Sequence, residues 1–365
     1  MADIKLEFVA KTFGTFAAVR GVNFTVDHGS FFVILGPSGC GKTTTLRMIA
    51  GLELPTSGRI LLADEDVTAL PASARDIAFV FQLFALYPHM NVRQNIGFPL
   101  RCQNYSRAQI NKAVEEAARL LQIDHLLDRR VGGLSGGDRQ RVALGRAIVR
   151  RPKAFLMDEP LGALDSEFRR LMCGELRDLH DRINATLVYI THDQLEAMAM
   201  ADRIAIMNQG RIEQIGTPQQ IYDRPKTMFV ADFIGAPPMS FLGVQTALRR
   251  GDRIIQVDGA PVEIPEMFED RAEGPFVLGV RPENVSFADS SRLRGRVIGA
   301  EYLGTTQIVT VTTANGQIKA RLPSGNPVQI GETVGLKFRP DRLSLFDAAN
   351  GQVLSTELSA GGHDG

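Results

Sequence analysis

The chain has 365 residues, 44% of them hydrophobic and 22% charged, with a formal net charge of zero. This composition indicates neither a disordered chain nor a membrane core, the length suits two domains, and the charge balance argues against nucleic-acid binding through bulk electrostatics. No apolar run approaches the ~20 residues of a bilayer span, and the N-terminal MADIKLEFVAKTFG lacks the apolar stretch and cleavage site of a secretion signal, so a cytoplasmic protein is expected.

Residues 1 to about 235 alternate short apolar runs with helical patterns, which predicts an α/β domain with a largely parallel sheet. The runs lie at 31–35, 77–81, 154–157 and 186–190. Helical spacing predicts helices over 107–121 and 139–149, the second with an apolar face of Val142, Leu144, Ile148 and Val149. Cys40, Cys102 and Cys173 are few and widely spaced, and the six histidines do not cluster, so neither a disulfide framework nor a zinc site is expected.

The first run leads into Gly36, Pro37, Ser38, Gly39, Cys40, Gly41, Lys42 and Thr43, which fit G-x-x-x-x-G-K-[ST] between a strand and a helix-like segment that Thr44 opens. Glycines leave backbone N–H groups free to face phosphate oxygens, and a helix N-terminus adds partial positive charge. Lys42 offers a full charge to the β- and γ-phosphates, and Thr43 a hydroxyl suited to Mg²⁺. The other runs also end in chemistry: 77–81 at Gln82, 154–157 at Asp158 and Glu159, 186–190 at Thr191 and His192. Ligands of open α/β sheets sit beyond the carboxyl ends of the strands, so parallel strands would bring all four groups to one crevice. There Asp158 suits Mg²⁺, Glu159 a general base for the attacking water, His192 the γ-phosphate, and Gln82 the metal or that water.

Taken together, these residues resemble the ABC ATPases. Leu134-Ser135-Gly136-Gly137 looks like the signature motif of that family, upstream of the acidic pair. The resemblance implies an α/β P-loop NTPase domain of ABC type with a helical subdomain. It implies Phe13 as the aromatic that stacks on adenine, Gln82 as the Q-loop, 161–165 as the D-loop ending at Asp165, and His192 as the switch histidine. It further implies a head-to-tail homodimer that sandwiches two ATP with Mg²⁺, in which Ser135, Gly136, Gly137 and Asp165 of one subunit complete the site of the other. A helix starting near Arg139 would present its positive end there. Asp138 stands where the family usually has Gln, and Gly162 where it often has Ser, departures that bear on turnover and on communication between sites.

The texture changes after Gly235-Ala236-Pro237-Pro238. Alternating segments such as 307–311 and 317–322, set off by turn residues, predict a small all-β domain over 236–355, with 356–365 a disordered tail. Leu278-Gly-Val-Arg-Pro-Glu-Asn-Val-Ser286 and Leu336-Lys-Phe-Arg-Pro-Asp-Arg-Leu-Ser344 echo one another. Segments 233–242, 279–284 and 301–304 resemble the OB-like regulatory domain of importer ATPases of the maltose and glycerol-3-phosphate type. This resemblance implies the ATP-hydrolysing motor of a bacterial uptake transporter for a sugar or sugar-like solute. Such a motor is peripheral at the cytoplasmic face of the inner membrane, with two integral-membrane permease subunits and, indirectly, a solute-binding protein, and without nucleic acid. Polyamine and ferric-iron importers share the layout, and a soluble ABC mechanoenzyme is the alternative outside transport. In the family that the chain resembles, the region equivalent to 83–90 forms the groove that receives the permease, which implies a docking surface formed in part by Phe84, Leu86, Tyr87 and Met90.

Overall fold

The computed structural model describes residues 3–162 and 164–361. Ala163, in the expected D-loop, and the last four residues of the expected tail lie outside that range. The chain divides into two compact units, Met1–Pro218 and Gln219–Gly365, the division falling after the first residue of a short helix that otherwise belongs to the second.

In chain order the first unit comprises β1 (Ile4–Phe13), β2 (Phe16–Val26), β3 (Phe31–Leu35), α1 (Lys42–Ala50), β4 (Ser57–Leu62), β5 (Glu65–Asp66), β6 (Ile77–Val80), α2 (Val92–Cys102), α3 (Arg107–Leu120), α4 (Gly136–Ile148), β7 (Ala154–Asp158), α5 (Ser166–Ile183), β8 (Thr186–Thr191), α6 (Gln194–Met200), β9 (Arg203–Asn208) and β10 (Arg211–Gly216). The central sheet runs β10-β9-β3-β8-β7-β6. All its pairings are parallel except that of edge strand β10. Strands β3, β7 and β8 are buried throughout, as expected for apolar runs covered on both faces. A second, antiparallel sheet runs β2-β1-β4-β5, and Phe32, Ile34, Leu156, Val188 and Ile190 share one core with Ile4, Leu6 and Phe24 from it.

The helices α2, α3 and α4 form the expected helical insertion between β6 and β7. Capping boxes start α2 and α3, at Asn91 with Gln94 and at Ser106 with Gln109. Helix α4 begins at Gly136, earlier than the expected Arg139, because the Ser135 hydroxyl accepts the Asp138 N–H and caps it. Among the described residues no helix is long and apolar enough to cross a membrane.

The second unit comprises α7 (Pro218–Asp223), α8 (Met228–Phe233), β11 (Ser240–Leu248), β12 (Ile254–Val257), β13 (Ala260–Glu263), β14 (Arg271–Val280), β15 (Val285–Phe287), β16 (Arg294–Tyr302), β17 (Thr306–Thr313), β18 (Gly316–Pro323), β19 (Thr333–Phe338), β20 (Ser344–Asp347) and α9 (Glu357–Ala360). Its strands form antiparallel sheets ordered β11-β14-β20, β12-β13 and β15-β19-β16-β17-β18. The sequence echo has a structural counterpart. Each copy is a strand, an Arg-Pro turn and a strand, and pairing is reciprocal: β14 with β20, β15 with β19. The unit begins before the expected boundary near 235, because the buried Arg281 guanidinium donates to the carbonyls of Tyr222, Ala231 and Ile234. The start of the expected disordered tail is also ordered: Thr356 and Ser359 form a capping box on α9, and Glu357 N–H donates to Glu266 O at 2.9 Å.

Candidate functional site

The loop from Gly36 to Gly41 joins β3 to α1, and its glycines are demanded by conformation and close packing. Gly39 and Gly41 have φ of +77° and +110°, a region that favours glycine. A Cβ on Gly41 would lie 2.6 Å from the Ala18 carbonyl oxygen, and one on Gly36 would overlap the Met207 carbonyl. The sequence reading assigned these glycines to phosphate approach alone; packing against β2 and β9 is a second reason for them. Gly41 caps α1 without a side-chain hydrogen bond, which leaves the first N–H groups of the helix for a ligand. Lys42 is buried, and its Nζ donates to Gly36 O at 2.8 Å and Pro37 O at 3.0 Å, so the ammonium is arched back over the loop. Pro37 and Thr44 are half-buried and Ser38 exposed, while burial pushes the Cys40 thiol up. Phe13 stands at the end of the β1–β2 hairpin, opposite Phe16, with its ring exposed and the Lys11 ammonium 4.9 Å from its centre. Strand β2 of this hairpin is the one whose Ala18 carbonyl abuts Gly41.

The neighbouring strands deliver the acidic groups to the same edge. Asp158 ends β7 and Glu159 follows it; the Thr43 hydroxyl is 3.5 Å from Asp158 Oδ1. Burial, and then the adjacent Glu159 charge, raise the Asp158 pKa. A buried carboxylate held next to a threonine hydroxyl is a hard-oxygen pair of the kind that takes Mg²⁺ with phosphate and water completing the shell. Glu159 has φ of +43°, unusual for a non-glycine residue, and is held by its N–H donating to Ile190 O on β8 at 3.1 Å. Its Oε2 lies 3.1 Å from His192 Nδ1, just beyond the end of β8. The expectation placed His192 on the γ-phosphate; in the structure it meets the carboxylate of Glu159. Strand β6 ends at Val80 and Gln82 follows in an exposed turn, its Nε2 within 3.8 Å of where a Cβ on Gly162 would sit.

Ser135, Gly136 and Gly137 open α4 and face α5. A Cβ on Gly136 would be 3.3 Å from Leu164 Cδ2, and one on Gly137 would overlap the Phe168 ring. Asp138 Oδ2 accepts the Ser135 hydroxyl at 2.7 Å. Asp165 caps α5 by accepting from Phe168 N–H at 2.9 Å. Of the apolar stretch 83–90, Phe84 is buried, which corrects its assignment to a docking surface. Its carbonyl and that of Ala85 each accept from the Arg146 guanidinium at 2.7 Å, drawing the segment inward. Leu86, Tyr87 and Met90 are half-buried, and Tyr87 lines a cavity of about 420 Å³ with Phe81, Phe98, Ala143 and Arg146.

One polar group lay outside the sequence reading. Glu196, on α6, is buried and accepts from the Tyr189 and Thr191 hydroxyls, each at 2.7 Å; Thr191 immediately precedes His192. Arg169 faces it from α5 and pairs with Asp193 at 2.9 Å. Neither falls in a motif, so only the fold brings them together.

The profile of the ABC transporter family matches residues 19–162, and that of the TOBE domain residues 278–346. The sulfoquinovosyl glycerol transport ATP-binding protein SmoE of Agrobacterium fabrum is 44% identical, covering 95% of this chain and 98% of its own. The sn-glycerol-3-phosphate import ATP-binding protein UgpC of Rhizobium meliloti is 45% identical (96% and 99%), and the trehalose/maltose import ATP-binding protein MalK of Thermococcus litoralis 42% (97% and 100%). Among solved structures, cbiO1 of Clostridium perfringens, part of the ABC transporter complex cbiONQ, covers 60% of this chain and 89% of its own at 27% identity and a TM-score of 0.56. A dimeric ATP-binding cassette in a post-hydrolysis state with ADP and Pi covers 59% of this chain and 98% of its own, at 30% identity and a TM-score of 0.53. With near-complete coverage of these relatives and the strand-end groups gathered at one edge, the chain belongs to the ATP-binding subunits of ABC transporters, ATPases that here carry a TOBE domain.

Proposed function

We propose that this chain is the motor of an uptake transporter for a sugar or sugar-like solute, acting as a homodimer at the cytoplasmic face of the membrane. The single observation that carries the chemistry is the meeting of Thr43, Asp158, Glu159 and His192 at the carboxyl ends of three adjacent parallel strands. ATP lies with its phosphates over the glycine loop and α1, its adenine on Phe13, and its β- and γ-phosphates at Lys42, which exchanges its two carbonyl partners for phosphate oxygens. Thr43 and Asp158 would hold Mg²⁺, with Gln82 placed to reach it or the attacking water, and the ion would supply neutralisation of the phosphate charge. Glu159 takes the proton of that water, and His192 orients the Glu159 carboxylate through Nδ1. Ser135, Gly136, Gly137 and Asp165 serve the nucleotide of the partner copy.

Uptake and solute class are supported by the import proteins that the chain matches over nearly its whole length. Two permease subunits dock on the half-buried Leu86, Tyr87 and Met90 and the cavity beside Tyr87, and receive solute from a binding protein. The test is a tagged pull-down from detergent-solubilised native membranes. Two polytopic proteins in stoichiometric amounts are the expected result, and the binding protein encoded with them gives the solute. Recovery of soluble partners alone overturns the transport reading while leaving the ATPase in place.

A further inference from the structure

The start of α5, with Leu164 just before it, stands between two segments that the proposed function assigns to different ATP sites. On one side, Leu164 and Phe168 fill the space beside Gly136 and Gly137, the residues given to the nucleotide of the partner copy. On the other, Arg169 spans to the loop that carries His192. Its NH2 donates to Leu164 O at 2.8 Å and its NH1 to Asp193 Oδ2 at 2.9 Å. Its Nε is buried without a hydrogen bond, 3.6 Å from Glu196 Oε1. The other Glu196 oxygen is already engaged by Tyr189 and Thr191, and Thr191 Oγ1 accepts the Asp193 N–H at 3.0 Å. His192 is therefore flanked on both sides by residues of one partly buried network, and its ring meets Glu159.

A guanidinium has a rigid fork of donors, so two acceptors fixed to it cannot move independently. Leu164 O and Asp193 Oδ2 are such a pair, and the unmet Nε–H leaves the network one hydrogen bond short, an arrangement that costs free energy while it lasts. Displacement of the Gly136–Gly137 turn displaces Leu164 and Phe168 by contact, and Arg169 passes that movement to Asp193. We propose that Arg169 is a positioning residue that couples the two ATP sites. Nucleotide of the partner copy, engaged at Gly136 and Gly137, sets through Arg169 the His192–Glu159 pair of this subunit's own site. The proposal rests on the two-site homodimer proposed above.

The experiment uses the full chain with ATP as the probe. The Glu159→Gln chain, with and without Arg169→Gln, is first run for ATP-dependent dimerisation by size-exclusion chromatography with light scattering. Turnover is then measured against ATP concentration for the wild type, Arg169→Gln and Arg169→Lys, in the membrane complex. The expected wild-type curve is sigmoidal with a Hill coefficient approaching ~2, the ceiling for two sites, falling to ~1 in Arg169→Gln with turnover down about tenfold. Dimerisation persists in both Glu159→Gln chains. Arg169→Lys, a point charge in place of a fork, falls between. A hyperbolic wild type overturns the proposal. So does an Arg169→Gln curve of wild-type sigmoidality, even with lower turnover or stability, since that is what a purely structural arginine gives. If Arg169→Gln does not fold, Asp193→Asn decides: it keeps the Oδ1 cap on α6 and drops the charge, so loss of sigmoidality supports coupling and unchanged sigmoidality overturns it. A Glu159→Gln chain that never dimerises with ATP removes the two-site reading itself, and that failure is read in chromatography, not in the Hill coefficient.

Discussion

At the scale of single residues, the proposed mechanism turns on a carboxylate in an unusual backbone conformation. Glu159 is held at positive φ by one hydrogen bond to β8, and its side chain is steadied by His192. Glu159→Gln preserves size and hydrogen bonding but cannot take a proton. ATP binding, followed by a fluorescent nucleotide, is expected to be unchanged, while turnover falls by about 10²–10⁴, the usual worth of a general base. Normal phosphate release would remove Glu159 from that role. Asp138 presents a different problem. Its carboxylate holds the Ser135 hydroxyl at 2.7 Å and adds negative charge at the start of α4, so in the proposed homodimer it would compete for that proton with the phosphate of the partner copy's nucleotide. Asp138→Asn keeps the hydrogen bond and removes the charge. The ATP concentration for half-maximal turnover is expected to fall roughly 2–5-fold, since a charge at a helix end is worth about 0.3–1 kcal/mol. An unchanged or raised value would show that the carboxylate does not oppose the triphosphate.

At the scale of elements, the gathering of the strand-end groups at one edge of the sheet was legible because the signals were local. A loop of fixed spacing, an apolar strand and the residue at its end lie within a dozen positions of one another, and parallel pairing does the rest. What was not legible depends on long-range partners. Phe84 reads as surface in its own segment, and only Arg146, on α4, draws its carbonyl inward. Arg75 carries no motif, yet its buried guanidinium donates to Met48 O and Ile49 O, closing the C-terminal end of α1, the helix of the phosphate loop. In the second unit α7 and α8 look like the tail of the ATPase domain, and long-range partners show otherwise, among them Arg281, Tyr222 and the Met228 N–H, which donates to Gly351 O at 2.8 Å. The Tyr222 hydroxyl donates to Glu283 at 2.6 Å, and burial together with that carboxylate raises its pKa from 10.0 to about 12. Below pH 10 both folded and unfolded chains keep the phenol proton. Between 10 and about 12 the unfolded chain loses it first, so this tyrosine makes stability fall with rising pH. Tyr222→Phe is expected to flatten that part of the pH–stability curve in urea titrations. An identical slope in the variant would remove Tyr222 as its source.

At the scale of the whole molecule, the two units have separate apolar cores, one around Phe32, Leu156 and Val188, the other around Leu278, Val309 and Leu345. A domain with its own core folds alone when its boundary keeps that core and its polar partners intact. The boundary is the point at issue. A fragment of residues 219–365 retains the carbonyls of Tyr222, Ala231 and Ile234 that receive Arg281, and the stacking of Arg281 on the Tyr222 ring at 4.2 Å. A fragment of residues 236–365 retains the β-sheets but strips every one of those acceptors from a buried cation. Leaving a buried charged donor without its partners costs about 3–5 kcal/mol, a large part of the stability of a small domain. The longer fragment is therefore expected to melt cooperatively by circular dichroism, and the shorter to melt at markedly lower temperature or not to fold. Arg281→Met should restore part of the difference in the shorter fragment, because it removes the cation that lost its partners while keeping an apolar side chain in its place. Equal melting of the two fragments would mean that the β-sheets alone specify the unit and that the Arg281 contacts are incidental to its stability.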